Sequence, residues 1–146
     1  MDDHIDETDR ALVAALSENA RAPVADLARR LGLARTTVQA RLDRLETRGA
    51  IAGYTLKRGP GLRPALRATV LISVEPRATP AVLSRLKSLT AVETVHTTSG
   101  RFDMIAQLSA ETTEALDRTL DTIGEAKGVK ASESLIHLST KIDRGA

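Results

Sequence analysis

One glycine, set between two series of regularly spaced apolar residues, constrains the N-terminal part of this chain more than any other feature. Leu27 and Leu31 stand four residues apart before Gly32, a spacing that puts both side chains on one face of a helix. After the glycine, a second helical stripe follows at Val38, Leu42 and Leu45. Glycine readily adopts the positive φ that a sharp turn between two helices requires. The pattern therefore predicts a helix-turn-helix.

The second predicted helix carries polar and basic side chains outside its apolar stripe. The candidate DNA contacts on it are Arg35, Thr36, Thr37, Gln39, Arg41 and Arg44. Such side chains hydrogen-bond to base edges and phosphates when a helix enters the major groove of a duplex, with the first turns nearest the bases. The spacing also fits a simpler alternative, a helical hairpin whose basic face is only hydrated.

The positive charge of the chain is concentrated around this motif. The formal net charge is +2, but residues 1–20 carry six acidic residues and one basic residue. Residues 21–63 carry ten basic and three acidic residues, and residues 64–146 carry ten of each. Because phosphate contacts supply most non-specific affinity for DNA, this distribution favours a duplex-binding surface. It also predicts that the acidic first helix faces away from DNA.

The composition argues against several other classes of protein. Aromatic residues make up 1% of the chain, whereas single-stranded nucleic-acid modules stack bases on several rings. No apolar run approaches the roughly 20 residues that span a bilayer. The acidic N-terminus is unlike a secretory signal, so a cytoplasmic location is the default expectation. The chain has no cysteine and its three histidines are far apart, so we expect no catalytic set, no cofactor and no metal site.

Residues 1–57 are predicted to form one helical DNA-binding domain. Asp6 can cap the first helix, with Asp9 as the matching acid of a capping box. The expected buried stripe of that helix consists of Leu12, Val13 and Leu16. Gly49 is expected to end the third helix. Residues 51–57 are predicted as a short strand, which makes the domain winged-helix-like.

The C-terminal part of the chain predicts a second, mixed domain. Residues 58–64 contain two glycines, two prolines and two arginines, a composition that indicates a linker. In residues 65–146, β-rich and helical segments follow one another at 65–75, 80–89, 92–99, 103–108, 112–127 and 129–138. This β-α-β-β-α-β order is that of the ferredoxin-like fold, so the predicted fold class is α+β with two domains.

A four-stranded sheet with both helices on one side leaves its other side uncovered. Apolar residues on that side, such as Val70 or Leu71, would face water in a monomer. The simplest arrangement that covers them is a homodimer in which two sheets pack face to face. The order of segments therefore predicts self-association.

The motifs of both halves resemble the Lrp/AsnC (leucine-responsive/asparagine regulator) family of bacterial and archaeal transcription factors. The matching elements are Asp-x-x-Asp at 6–9, Leu-Ala-x-x-x-Gly-Leu at 27–33, Val-x-x-Arg-x-x-x-Leu at 38–45 and Gly-x-Ile-x-Gly-Tyr at 49–54. One departure is Ala34, where the family usually has serine. Alanine cannot cap the recognition helix, a loss of about 0.5–2 kcal/mol of helix stability. The resemblance covers almost the whole chain and implies a C-terminal RAM domain (regulation of amino-acid metabolism).

The same resemblance implies an effector site. Residues 98–105 are similar to the family's Thr-Gly-x-x-Asp hairpin, which lies between dimers in relatives and helps to bind the effector amino acid. The candidate effector-binding residues are Ser99, Gly100, Arg101, Phe102 and Asp103, with Ser132 and Ser134 on the last strand as weaker candidates. Arg101 is not a fixed residue of the family, so two roles stay open for it: contact with an acidic ligand, or simple solvation. Gly100 lets backbone amides approach a carboxylate, and Asp103 can pair with an α-ammonium group. The alternative is that Gly100 only makes the turn and Asp103 only holds the backbone.

The predicted function is a sequence-specific, DNA-binding transcriptional regulator that responds to a small molecule, most simply an amino acid. Its expected partners are double-stranded DNA, the effector and further copies of the chain, in a homodimer and in higher oligomers such as an octamer. Two alternatives stay open. One is an architectural, nucleoid-type DNA-binding protein without an effector, and the other is an amino-acid-binding module associated with an enzyme.

Overall fold

The computed structural model of this protein describes residues 4–144 of the 146-residue chain. The chain divides into two compact units between Lys57 and Arg58. We call them the N-terminal unit and the C-terminal unit, and each is described by itself. In the described part of the chain, no helix is long and apolar enough to cross a membrane.

In residues 4–57, the N-terminal unit is built from three helices, α1 (Glu7–Glu18), α2 (Val24–Leu31) and α3 (Arg35–Thr47). Their apolar stripes meet in one core, made of Leu12, Ala15, Leu16, Leu27, Ala28, Val38, Leu42 and Leu45. Gly32 turns the chain between α2 and α3 with a φ of 67°. Leu33, directly after it, packs against the same core. The helix-turn-helix prediction is confirmed.

The starts of α1 and α3 are capped differently. Asp6 and Asp9 form the predicted capping box, in which Asp6 Oδ1 accepts from the Asp9 N–H at 2.8 Å and Asp9 Oδ2 accepts from the Asp6 N–H at 3.2 Å. Ala34 occupies the N-cap of α3 and makes no side-chain hydrogen bond there. The first turn of α3 therefore lacks the oxygen acceptor that most N-cap residues supply.

Two predictions for the N-terminal unit are wrong. Val13 is 36% exposed, because the buried face of α1 runs through residues 12, 15 and 16 and leaves position 13 at its edge. Residues 51–57 do not form a strand, and Tyr54 and Leu56 within this segment are exposed. An extended segment becomes a strand only by pairing, and residues 4–57 contain no other strand with which it pairs.

The described part of the C-terminal unit, residues 58–144, contains a short 3-10 turn (Pro60–Leu62) and six longer elements. These are β1 (Leu66–Val74), α4 (Thr79–Lys87), β2 (Val92–Thr97), β3 (Met104–Ala110), α5 (Thr113–Gly124) and β4 (Val129–Ile136). The strands form one antiparallel sheet in the order β2-β3-β1-β4. The ferredoxin-like prediction is confirmed, and each predicted segment matches an observed element within a few residues.

Alternating side chains separate the two sides of this sheet. On one side, Val70 and Ile72 of β1 and Met104 and Leu108 of β3 are buried. They belong to a core that includes Val82 and Leu86 of α4 and Leu116 and Ile123 of α5. Val70 therefore faces the helices, and its predicted place on the uncovered side is wrong.

The other side of the sheet, which we call the open face, mixes apolar and polar residues. Leu71 of β1 lies in register with Ile105 of β3 and Glu133 of β4. Two residues before Leu71 on the same strand, the Thr69 hydroxyl donates to Oε1 of Gln107 at 3.1 Å and lies 2.8 Å from Nε2 of His137. The open face is thus less uniformly apolar than the sequence pattern indicates.

Candidate DNA interface and effector hairpin

The outer face of α3 presents the exposed side chains of its first turns. Arg35, Thr36, Thr37 and Gln39 are all exposed. Nε2 of Gln39 donates to Oδ1 of Asp43 at 2.8 Å, one turn further along the helix. An ionised carboxylate only accepts hydrogen bonds, so the amide nitrogen of Gln39 must be the atom that faces it. The Oε1 atom and the second N–H of Gln39 are left for another partner.

The two arginines in the middle of α3 reach across to α1. Nη1 of Arg41 lies 2.9 and 2.7 Å from the two carboxylate oxygens of Asp6, and 2.9 Å from Oδ1 of Asp9. Nη2 of Arg44 lies 2.7 Å from Oδ2 of Asp9. The Asp9 side chain is 1% exposed, whereas that of Arg44 is 41% exposed. Two acidic residues from the start of the chain therefore lie beside α3.

These ion pairs fix the charge of Asp6. Hydrogen bonds from the Arg41 guanidinium, together with the backbone N–H of Asp9, lower the pKa of Asp6 from 3.8 to about 2. The hydrogen bonds to Asp6 and Asp9 raise the pKa of Arg41. Asp6 consequently stays ionised to a lower pH than an ordinary aspartate, and its negative charge offsets part of the positive charge of Arg41.

The arginines of α2 have carboxylate partners as well. Arg29 lies 2.8 Å from Asp26 on the same helix, and Arg30 lies 2.8 Å from Glu18 at the end of α1. Both pairs are exposed to solvent, where such ion pairs contribute little stability. They nevertheless offset the positive charge of the α2 arginines, as Asp6 and Asp9 do for Arg41 and Arg44 of α3.

A shallow depression of about 430 Å³ lies on the surface of α3. Its lining residues are Thr36, Thr37, Ala40, Arg41 and Arg44. The small side chain of Ala40 leaves the space open, and hydroxyl and guanidinium groups surround it. Such donors suit an anionic oxygen more than an apolar ligand.

The predicted effector hairpin connects β2 to β3 and is held by its own backbone and by β1. The Thr98 N–H donates to the Asp103 carbonyl at 2.9 Å, and the Thr98 hydroxyl donates to the Phe102 carbonyl at 2.7 Å. The Asp103 N–H donates to the carbonyl of Ile72 at 2.9 Å. Oδ2 of Asp103 accepts from the Val74 N–H at 2.7 Å. Asp103 therefore has the backbone-holding role that the sequence left open.

Arg101 projects from this hairpin, which Gly100 turns with a φ of 123°. The Arg101 guanidinium lies 5.1 Å from the centroid of the Phe102 ring, and its Nη2 atom lies 3.8 Å from Oε2 of Glu133. Glu133 belongs to the open face, in register with Leu71. The exposed tip of the hairpin thus reaches toward the open-face side of β4.

Ser132 and Ser134 lie on the opposite side of β4. They are in register with Ile72 and Val70, whose side chains face the helices. Ser132 Oγ lies 3.7 Å from the point where a Cβ on Gly124 of α5 would stand. Within a single copy of the chain, both serines therefore lie on the other side of β4 from Glu133, because neighbouring residues of a strand point to opposite faces. That they line the effector cleft stays a prediction.

Two residues that contact the side chains of α3, Asp9 of α1 and Asp43 of α3 itself, are not among the predicted site residues. A signal for Asp43 is present in the sequence, since Gln39 and Asp43 stand one helical turn apart. The contact of Asp9 with Arg41 and Arg44 has no such local signal. It depends on how α1 crosses α3 in the folded unit.

Two known domains match this chain. Residues 5–46 match the AsnC-type helix-turn-helix domain, and residues 67–146 match the Lrp/AsnC ligand binding domain. The HTH-type transcriptional regulator FL11 of Pyrococcus abyssi is 30% identical to this chain over 137 residues. That alignment covers 93% of this chain and 91% of FL11.

Solved structures are similar along nearly the whole length. The structure of E. coli AsnC is 26% identical, with a TM-score of 0.88, and the match covers 98% of both chains. A feast or famine regulatory protein from M. tuberculosis, solved in complex with L-methionine, is 31% identical. Its TM-score is 0.82, and the match covers 97% of both chains.

Proposed function

This chain belongs to the Lrp/AsnC family of transcriptional regulators, and we propose that it binds specific DNA sequences through α3 and responds to an amino acid through its C-terminal unit. The family assignment rests on both domains in their order along the chain. The proposed DNA contacts and the proposed class of effector rest on the geometry of the two units.

The observation that carries the DNA-binding proposal is the exposed outer face of α3, with donors and acceptors on its first turns and arginines beside them. We assign contacts with base edges to Arg35, Thr36, Thr37 and Gln39, which precede the arginines along the helix. We assign phosphate contacts to Arg41 and Arg44, which would set the register of the helix on the duplex. Arg44 is the stronger phosphate contact, because Arg41 is already paired with two carboxylates.

We assign the effector to the hairpin at residues 99–103. Oδ2 of Asp103 is bound to the backbone, so Oδ1 is the atom we assign to the α-ammonium group of an amino acid. Arg101 and the backbone beside Ser99 and Gly100 are assigned to its carboxylate, and Phe102 to its side chain. We leave Ser132 and Ser134 out of this site because they face the helices. The L-methionine complex of the M. tuberculosis relative supports this class of ligand.

The open face supports a homodimer in which two sheets pack against each other, with Leu71 and Ile105 near the centre of the contact. The effector hairpin lies at one end of this face, where dimers would join into larger assemblies such as an octamer. An amino acid bound there would change how dimers assemble, and hence how half-sites on DNA are spaced. The protein would act in the cytoplasm, on double-stranded DNA.

A thermal-shift screen of the full chain against the twenty amino acids tests the effector directly. A ligand at 100 times its dissociation constant adds about 2.7 kcal/mol to the free energy of unfolding. The amide of each active amino acid, which lacks the carboxylate, is the matched control and is expected to give no shift. The active amino acid should then alter binding to a selected duplex.

The two alternatives give other results in the same experiments. An architectural DNA-binding protein would bind duplexes without any response to amino acids. A module associated with an enzyme would bind an amino acid but no duplex. The exposed basic residues of α3 argue against the module, because phosphate contacts are the main source of affinity for DNA.

A further inference from the structure

We propose that Asp9 is a positioning residue for DNA binding: its buried carboxylate holds the guanidinium groups of Arg41 and Arg44 so that Arg44 presents its free edge to one backbone phosphate at the depression on α3. The proposal rests on the proposed function, because it requires α3 to meet a duplex. It adds a residue of α1 to the residues that determine DNA binding.

The burial of Asp9 makes its bonds to α3 strong constraints. A carboxylate that is 1% exposed is stable only when cations and hydrogen-bond donors compensate for the lost water. Both of its oxygens are in use: Oδ1 accepts from Arg41, while Oδ2 accepts from Arg44 and from the Asp6 N–H. Asp9 therefore ties two side chains of α3 to the start of α1.

Arg44 is bound to Asp9 through only one of its nitrogens. Among the described residues, Nη2 of Arg44 is the atom that donates to Asp9, and Nε and Nη1 have no protein partner. The guanidinium is planar and carries five N–H groups in a fixed fork. The bond through Nη2 therefore restricts the directions of the remaining N–H groups, and the 41% exposure of the Arg44 side chain shows that solvent reaches it.

The depression on α3 gives these N–H groups a place to meet a phosphate. Thr36, Thr37 and Ala40 line it, and the guanidinium groups of Arg41 and Arg44 contribute positive charge. Arg41 is the less available of the two arginines, with 24% exposure and two carboxylate partners. Arg44 is therefore expected to supply most of the attraction for the phosphate, and Asp9 to keep it pointing there.

A double-mutant cycle separates this role from simple stabilisation of the fold. The affinity for a selected duplex is measured for the wild type, Asp9→Asn, Arg44→Ala and the double variant, at a temperature where circular dichroism shows each to be folded. In the wild-type background, Asp9→Asn should weaken binding about fivefold or more, although it removes a negative charge. In the Arg44→Ala background, the same change should alter affinity by less than about twofold.

The salt dependence of DNA affinity is a second measurement, and a change in the stability of the fold alone would not alter it. Loss of one phosphate contact reduces the slope of log affinity against log salt by about 0.9, and Asp9→Asn should show this reduction. Asp26→Asn is the matched control, because it removes the same charge from an exposed pair on α2 that has no bond to α3. It should leave the affinity unchanged or raise it slightly.

If Asp9→Asn does not fold, the variant Arg44→Lys provides a second test of the proposal. Lysine preserves the charge opposite Asp9 but lacks the planar fork that contacts Asp9 and a phosphate at fixed relative angles. We expect Arg44→Lys to bind DNA nearly as weakly as Arg44→Ala. Three results would overturn the proposal. Arg44→Lys could bind DNA with wild-type affinity, Asp9→Asn could have the same effect with and without Arg44, or Asp9→Asn could bind DNA more tightly than the wild type. If the wild type binds no duplex, the proposed function itself fails, and that result is seen before any variant is made.

Discussion

Oδ2 of Asp103 accepts a 2.7 Å hydrogen bond from the backbone N–H of Val74, which ties the end of the effector hairpin to the end of β1. This bond makes it possible to separate a structural role of Asp103 from a binding role. Asparagine keeps an oxygen that can accept from Val74 but loses the negative charge, whereas alanine loses both.

Asp103→Asn is therefore expected to fold normally and to weaken amino-acid binding by ~1.5–3 kcal/mol, the range for a hydrogen bond to a charged group. Asp103→Ala should also lower the free energy of unfolding by ~1–3 kcal/mol, because the Val74 N–H loses its acceptor. Calorimetry and thermal unfolding measure the two effects. DNA affinity without effector should stay unchanged within a few-fold, and unchanged amino-acid affinity in Asp103→Asn would leave Asp103 with its backbone role alone.

Gln39 and Arg44 are expected to contribute to DNA binding in different ways. Gln39→Ala should cost ~1–3 kcal/mol on a selected operator and little on random DNA, because Gln39 has a free acceptor and donor for a base edge. Arg44→Ala should weaken binding to both DNAs alike. Fluorescence anisotropy with the two duplexes measures the difference, and a change of base preference in Arg44→Ala but not in Gln39→Ala would reverse the assigned roles.

Leu71 tests the assignment of the open face to a homodimer. It lies between Ile105 and Glu133 on the uncovered side of the sheet, so Leu71→Glu places a second carboxylate beside Glu133 without entering the core. We expect light scattering to show a dimer or larger assembly for the wild type and a folded monomer for Leu71→Glu. Lys87→Glu, an even larger change of charge at the end of α4, is the control and should leave the assembly intact. A wild-type monomer would contradict the dimer.

The low pKa of Asp6 predicts a specific loss of stability in acid. Because the folded-state pKa of about 2 lies below the usual 3.8, the ion pair with Arg41 stabilises the fold above pH 4 and is lost as the pH falls toward 2. Asp6→Asn keeps the N-cap and removes the titrating group. The difference in unfolding midpoint between the wild type and this variant should therefore shrink from pH 4 to pH 2. The fluorescence of Tyr54, the single tyrosine of the chain and a residue of the N-terminal unit, follows this unfolding. A difference that stays constant across this range would remove Asp6 as the cause.

Local patterns predict most of the architecture because the relevant forces are local. The stripe of Val38, Leu42 and Leu45 and the positive φ of Gly32 depend on neighbouring residues, and both are found as predicted. Gly128 takes part in a contact that local sequence patterns do not predict. Its φ is 98°, and a Cβ at this position would lie 2.6 Å from the Cβ of Ala78, a close approach between segments 50 residues apart that no local spacing reveals.

The candidate site likewise has features that local sequence predicts and features that depend on the tertiary fold. The exposed residues of α3 follow from helical periodicity, but the partners of Arg41 and Arg44 depend on how two helices cross. The pairing of Arg101 with Glu133, and the opposite orientation of Ser132, depend on the register of β4 against β1. Residues 51–57 have a composition typical of a strand, but residues 4–57 offer no neighbouring strand for pairing. Composition alone does not predict whether a partner strand is present.

The most direct test of the account is a selection from random duplexes with the full chain, followed by titration of the selected and a shuffled duplex at one salt concentration. A sequence-specific regulator is expected to bind the selected duplex at least about 1,000-fold more tightly than the shuffled one. The amino acid found by thermal shift should change the affinity for the selected duplex, and, because linkage is reciprocal, that duplex should change the affinity for the amino acid by the same factor. The contradicting result is that the affinities for the two duplexes differ by less than about tenfold and that no amino acid changes either affinity. That result would favour an architectural DNA-binding protein.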